Sequence, residues 1–92
     1  MEKEHAWLKA AHDTAQFISE QYAKKFDDIR AQLQVTTKSW LTGTGIYGEL
    51  TISIYAEPLR YKKVYRVGEP IDTAELIMEL EDFYTRCSGR TR

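Results

Sequence analysis

The spacing of apolar residues changes twice along this chain, and those changes constrain its fold more than any other feature. Up to about residue 33 the apolar side chains recur in steps of three and four, which places them along one side of a helix. They are Leu8, Ala11, Ala15, Ile18, Tyr22, Phe26, Ile29 and Leu33. Because no proline or glycine interrupts this stretch, it predicts one helix over about residues 4–33, roughly 45 Å long.

The middle of the chain alternates apolar and polar side chains and is rich in β-branched and aromatic residues, which is typical of strands. Three strands are predicted, at about residues 35–42, 46–56 and 60–67. Pro58 lies between the second and third strands and stops the ladder there. Since the connections are short, the strands should form an antiparallel meander.

The helical spacing returns near the end of the chain, over about residues 73–87. Asp72 is a good N-cap, and Glu75 three residues later completes a capping box. The single cysteine, Cys87, falls on the apolar stripe of this helix and is interpreted as a small buried side chain. The 92 residues therefore predict a single α+β domain in the order α-β-β-β-α, with both helices packed on one face of the sheet.

The segment GTGIYG, residues 43–48, has the G-x-G-x-x-G spacing of dinucleotide-binding loops. Such a loop requires a strand before it and a helix after it, because the helix N-terminus binds the pyrophosphate. Here an alternating strand pattern follows, so the segment predicts a hairpin connection instead. Gly43 and Gly45 would permit positive φ in the turn, and Gly48 would mark a bulge or a close approach within the second strand.

Catalysis, metal binding and cofactor binding are not predicted. His5 and His12 are two helical turns apart, but no third ligand completes a zinc site with confidence. No serine has a nucleophile-elbow pattern, and no base is evident for Cys87. With no apolar run long enough for a membrane span and no apolar signal core, the expected location is the cytoplasm.

The open face of the sheet is the first candidate binding surface. If the apolar residues of the second strand face the helices, its tyrosines face outward, and the neighbouring strands add basic and aromatic side chains. The predicted partner-binding residues are Lys38, Trp40, Tyr47, Tyr55, Arg60, Lys62 and Arg66. This choice turns Val35, Ser39 and Leu41 inward, and also Lys63, whose stem would have to snorkel at a sheet edge.

The charge is distributed unevenly along the chain, which predicts a bipolar molecule and by itself is a weak argument for a partner. The formal net charge is −1. Residues 34–68 nevertheless contain five basic and two acidic side chains. Aromatic rings beside basic groups suit single-stranded nucleic acid and suit a protein interface equally well.

The long N-terminal helix is the second candidate surface. Phe17 lies about 180° from the apolar stripe, with Ala10 near it and Trp7 at the stripe's edge. A strand of eight residues spans only about 27 Å, so the N-terminal half of the helix should overhang the sheet. An apolar overhang would be covered most simply by a second copy, which predicts a possible homodimer through Trp7, Ala10 and Phe17.

The element order resembles that of double-stranded RNA-binding domains. The resemblance implies phosphate contacts from lysines at the start of the second helix. Here that stretch reads IDTAELIMELED, which is acidic and would repel phosphate. The similarity therefore extends to the order of elements and carries no functional residues.

These features predict a small non-catalytic binding or inhibitor protein that occupies a surface of a larger macromolecule, a protein or ribonucleoprotein. Compact chains without motifs are frequent among phage and mobile-element products that block host defence, including anti-CRISPR proteins. The alternative is a nucleic-acid-binding module that uses the same basic and aromatic face. The two hypotheses differ in salt dependence, because phosphate binding weakens steeply as salt is added.

Overall fold

A computed structural model describes residues 2–89 and confirms the predicted α-β-β-β-α order. The elements are α1 (Glu2–Asp27), β1 (Gln32–Thr42), β2 (Gly45–Ala56), β3 (Leu59–Arg66) and α2 (Thr73–Gly89). The three strands form one antiparallel sheet with β2 in the centre. No helix within residues 2–89 is both long and apolar enough to cross a membrane.

The core lies between one face of the sheet and the two helices. The central strand β2 contributes Leu50, Ile52 and Ile54 to the core, and all three are buried. The α1 side chain Phe26 lies 6.4 Å from Phe83 of α2, measured between ring centroids. Both helices therefore pack on the same face, as the sequence predicts.

α1 ends at Asp27, whereas the sequence predicted a helix that continues to about residue 33. The predicted C-terminal end of the helix is therefore wrong. The amide of Ala31 donates to the carbonyl of Phe26, and the amide of Arg30 donates to the carbonyl of Asp27. These two bonds form a Schellman motif, with Arg30 in the left-handed region at a φ of 62°. Leu33 belongs to β1 instead, where it pairs with Ile54.

The predicted overhang of α1 is also wrong, because the helix is shorter and the strands are longer than expected. The 26 residues of α1 span about 39 Å, and the 11 residues of β1 span about 37 Å. Near the helix N-terminus, Trp7 Nε1 donates to the carbonyl oxygen of Glu69 at 2.7 Å. The β1–β2 hairpin projects instead, since Leu41 is 76% exposed although it lies on the helix side of the sheet.

α2 begins as predicted, because the Asp72 carboxylate accepts the amide of Glu75 at 3.0 Å. Glu79, on the side of α2 that faces the sheet, then contacts two side chains of β3. Tyr61 Oη donates to Glu79 Oε1 at 3.0 Å, and Lys63 Nζ lies 3.4 Å from Glu79 Oε2. Burial and the Glu79 hydrogen bond raise the pKa of Tyr61 well above its usual value. The inward lysine of the edge strand thus has a carboxylate partner.

Candidate functional site

The strand register places all seven predicted partner-binding residues on the sheet face opposite the helices. Residues directly opposite in an antiparallel ladder project from the same face. Trp40 lies opposite Tyr47, and Tyr55 lies opposite Arg60. The complete set on this open face is Lys38, Trp40, Tyr47, Tyr55, Arg60, Lys62 and Arg66. No helix within residues 2–89 covers it.

One end of the open face is an aromatic pair. The rings of Trp40 and Tyr47 are stacked, with centroids 6.2 Å apart and planes 17° apart. Both side chains remain about half exposed, at 45% and 50%. Stacking fixes the two rings relative to one another and leaves their outer surfaces free to contact another molecule.

The centre of the open face is charged and hydrogen-bonding. Arg66 Nε lies 3.4 Å from Glu49 Oε1, and Lys38 is the cross-strand neighbour of Glu49 on the other side. Further along lie the short side chains of Thr51 and Ser53 on β2. The centre of the face is therefore polar and lies between aromatic side chains at its two ends.

The other end carries a cation over an aromatic ring. The Arg60 guanidinium carbon lies 5.1 Å from the centroid of the Tyr55 ring, within the usual range for a cation–π contact. A shallow depression of about 400 Å³ lies beside it. It is lined by Ser53, Ile54, Tyr55, Arg60, Tyr61 and Lys62. Tyr47 and Tyr55 are eight residues apart on β2, or about 27 Å.

The charge of the open face is strongly positive. Its outward-facing side chains include four cations, Lys38, Arg60, Lys62 and Arg66, and a single carboxylate, Glu49. That carboxylate is already engaged by Arg66. An anionic group could therefore pair with Lys38, Arg60 or Lys62 without displacing an acidic side chain, whereas at Arg66 it would compete with Glu49.

The GTGIYG segment forms a hairpin, as the sequence predicts. Thr42 pairs with Gly45 across a two-residue connection, and Thr42 Oγ1 accepts the amide of Thr44 at 3.2 Å. Gly45 has a φ of 152°, whereas Gly43 is not in the left-handed region. The expectation of positive φ therefore holds for Gly45 and is wrong for Gly43. Because β2 continues directly after the turn, no helix N-terminus is available to receive a phosphate.

Gly48 makes the close approach that its position in β2 suggests. A Cβ atom there would lie 2.6 Å from Leu8 Cδ2 and 3.1 Å from the carbonyl oxygen of Lys38. The glycine is needed because α1 approaches the sheet closely at this point. Packing therefore accounts for Gly48 without a ligand.

The predicted self-association residues Trp7, Ala10 and Phe17 differ in exposure. Trp7 is half-buried and its indole N–H is bonded to Glu69, so it contributes mainly to the contact between α1 and the loop before α2. Phe17 and Ala10 are exposed on the outer side of α1.

His5 and His12 are both exposed, and His12 Nδ1 lies 3.4 Å from Thr37 Oγ1. Within the described part of the chain, no three His, Cys, Asp or Glu side chains are grouped so that they could hold a metal ion. Cys87 is buried on the apolar side of α2, as expected for a packing residue.

The sequence interpretation missed two features of this region. Val64 lies on the open face opposite Thr51, and the alternation in β3 already places it beside its basic neighbours. Leu41 lies on the helix side of the sheet, as predicted, but the helices do not reach it. Only the relative lengths of α1 and the hairpin could have predicted this exposure.

No family model, curated protein or solved structure matches this chain.

Proposed function

We propose that this chain is a small non-catalytic binding protein that docks its open sheet face on a larger protein or ribonucleoprotein. The observation that carries the proposal is that one uncovered face of one sheet holds all of the predicted aromatic and basic residues. Tyr, Trp and Arg are the side chains that most often dominate binding energy at protein interfaces.

The contacts within the face support the same proposal. Its aromatic rings already pack against neighbours, Trp40 against Tyr47 and Tyr55 against Arg60. They project from three paired strands and not from loops. Less side-chain entropy is lost when such groups bind, so more of the contact energy becomes affinity.

The test is a double substitution, Tyr55→Ala with Arg66→Ala, in the full chain. Both side chains project away from the core, so the melting temperature should change little. Loss of two interface anchors should weaken partner binding by at least about tenfold. Binding is measured by capture from the native host, followed by titration with the purified partner that mass spectrometry identifies.

The matched control is Met78→Ala with Arg86→Ala, which removes an exposed apolar and an exposed basic side chain from α2. This variant should bind as the original protein does. Equal binding by both double variants would show that the open face is not the docking surface.

Nucleic-acid binding is the second candidate, and the positive charge of the open face favours it. Four cations in reach of exposed rings could pair with phosphates while bases stack. Affinity for a short single strand, such as a ten-residue oligothymidylate, should then fall steeply between about 50 and 200 mM salt. A partner that survives nuclease treatment, with binding that changes little with salt, supports the protein-docking proposal instead.

We propose a biological setting for such docking. A phage or mobile-element product would use it to inhibit the defence machinery of the host, as anti-CRISPR proteins do. The uncovered aromatic and basic face of the sheet is what supports that setting. An assay of defence activity with the double variant beside the original protein tests it, because inhibition should be lost together with binding.

A homodimer through α1 is a separate proposal, and Phe17 and Ala10 on its outer side are what supports it. The contact would be small, since Trp7 is engaged within the molecule. Light scattering at high concentration tests it. A monomeric mass, unchanged by Phe17→Ser, would contradict it.

A further inference from the structure

The tip of the β1–β2 hairpin, residues 39–48, is the most apolar projecting part of the described structure. Three of the six large exposed apolar side chains lie in it, namely Trp40, Leu41 and Tyr47. Phe17, Tyr55 and Met78 lie elsewhere. Exposed apolar side chains that are concentrated in one short segment are typical of an interaction site.

Apolar side chains extend from both faces of this hairpin tip. Trp40 and Tyr47 project from the open face, and Leu41 and Ile46 project from the helix side. On that side α1 covers Gly48 through Leu8, Ile46 is partly exposed, and Leu41 beyond them is 76% exposed. A flat partner surface could contact only one of the two faces.

The hairpin tip carries no charge. Lys38 and Glu49 flank it, and none of the ten residues between them is acidic or basic. Phosphates would find no cation here, so nucleic acid is not the matching partner for this part of the molecule. An uncharged, apolar protein surface is complementary to it.

Hydrogen bonds connect the two strands of the hairpin tip up to the turn. Strand pairing continues to Thr42 and Gly45. Thr42 Oγ1 donates to the carbonyl oxygen of Gly45 at 3.1 Å and accepts the amide of Thr44. Insertion of a pre-ordered element loses little conformational entropy.

We propose that the hairpin tip inserts into a two-walled apolar cleft of a partner protein, with Trp40 and Tyr47 against one wall and Leu41 and Ile46 against the other. This inference rests on the proposed docking function and names the chemistry of the partner surface. The charged centre of the open face then contacts the rim of that cleft.

Photo-crosslinking of the full chain in its native host tests the insertion. The photoreactive residue p-benzoylphenylalanine replaces Leu41, Trp40, Tyr55 or Met78, one position at a time. We expect adducts to the same protein from positions 40 and 41, mapped by mass spectrometry to different apolar segments. Position 78, which is as exposed as position 41 (73% against 76%), should give none.

The outcomes separate this inference from the docking function. Adducts from positions 40 and 55 without any from 41 would overturn the two-walled cleft and leave docking through the open face intact. Adducts from none of these three positions would contradict both proposals. Adducts that nuclease degrades would replace the protein cleft with nucleic acid.

A substitution provides an independent measure with the identified partner. Leu41→Asp should weaken binding by at least about tenfold, because a carboxylate would be buried against an apolar wall. Met78→Asp introduces the same charge at an equally exposed position and should leave binding unchanged. Equal affinities of the two variants would contradict the insertion.

Discussion

Gly48 illustrates how a single residue can be required by packing within a motif that suggests a ligand. A Cβ atom at Gly48 would contact Leu8 Cδ2, the carbonyl oxygen of Lys38 and Val67 Cγ2 at 2.6, 3.1 and 3.2 Å. The end of Leu8 can turn away, but the carbonyl of Lys38 is fixed in a β-strand. Gly48→Ala should therefore lower the free energy of unfolding by about 1–3 kcal/mol, measured by urea denaturation.

Gly43 supplies the control from the same segment. It has open space around it and no left-handed φ, so Gly43→Ala should change the free energy of unfolding by less than about 0.5 kcal/mol. Similar losses at both positions would contradict the packing account of Gly48. The sequence predicted a close approach at Gly48, but it could not identify Leu8 as the neighbour, because that depends on how α1 lies on the sheet.

The backbone of Arg30 is in the left-handed conformation, which glycine adopts more easily. Its φ of 62° occupies the position of a Schellman motif where glycine is usual. Arg30→Gly and Arg30→Ala both remove the side chain, and they differ mainly in the strain of the left-handed backbone. The glycine variant should be the more stable of the two by about 1 kcal/mol, measured by thermal unfolding. Equal stabilities would show that the backbone relaxes at this position.

At the scale of whole elements, strands and the second helix could be predicted closely, and the end of the first helix could not. The strand boundaries follow from alternation, and α2 follows from its Asp72 cap. The first helix was extended too far because Leu33, an inward residue of β1, happens to continue the helical spacing of apolar residues. No glycine or asparagine at position 30 signals the Schellman motif that ends the helix.

Side chains of both helices meet at Glu81 of α2. Tyr22, Lys25 and Glu81 form a cluster that we call the clasp. Lys25 Nζ lies 3.1 Å from Glu81 Oε2, and Tyr22 Oη donates to Glu81 Oε1 at 2.9 Å. The hydrogen bond from Lys25, and then that from Tyr22, lowers the pKa of Glu81. Burial and the Glu81 bond raise the pKa of Tyr22 to about 12.

These two shifts give opposite pH dependences. Because the folded pKa of Glu81 is lowered, its contribution is present above its unfolded value of about 4.5 and is lost as pH falls through the folded pKa. Because the pKa of Tyr22 is raised, its contribution is present below about 10 and declines as pH rises toward about 12. The clasp should therefore be fully formed near neutral pH.

Thermal unfolding between pH 3 and 7 tests the loss of stability that protonation of Glu81 should cause. Glu81→Gln should reduce the loss of melting temperature between pH 5 and 3 relative to the original protein, because the titrating group is gone. Asp82→Asn removes a carboxylate from the exposed side of the same helix, where it pairs with Arg86. An identical change in both variants would mean that overall charge, and not the clasp, sets the acid stability.

At the scale of the whole molecule, the structure is a long body with different chemistry on its two sides. Its extents are 51 × 21 × 17 Å, and both helices lie on one side of the sheet. The membership of the open face could be predicted, because alternation in the strands determines which residues share a face. The projection of the hairpin tip could not, because it depends on how far α1 extends along the sheet.

Side-chain oxidation by hydroxyl radicals, with and without the bound partner, tests the central claim most directly. The open face and the opposite side both carry exposed reactive side chains, so one experiment compares them. We predict that the partner protects Trp40, Tyr47 and Tyr55, while Phe17 and Met78 are oxidised at the same rate in both states. Protection of Phe17 or Met78, with the open face oxidised as in the free protein, would contradict docking through the sheet.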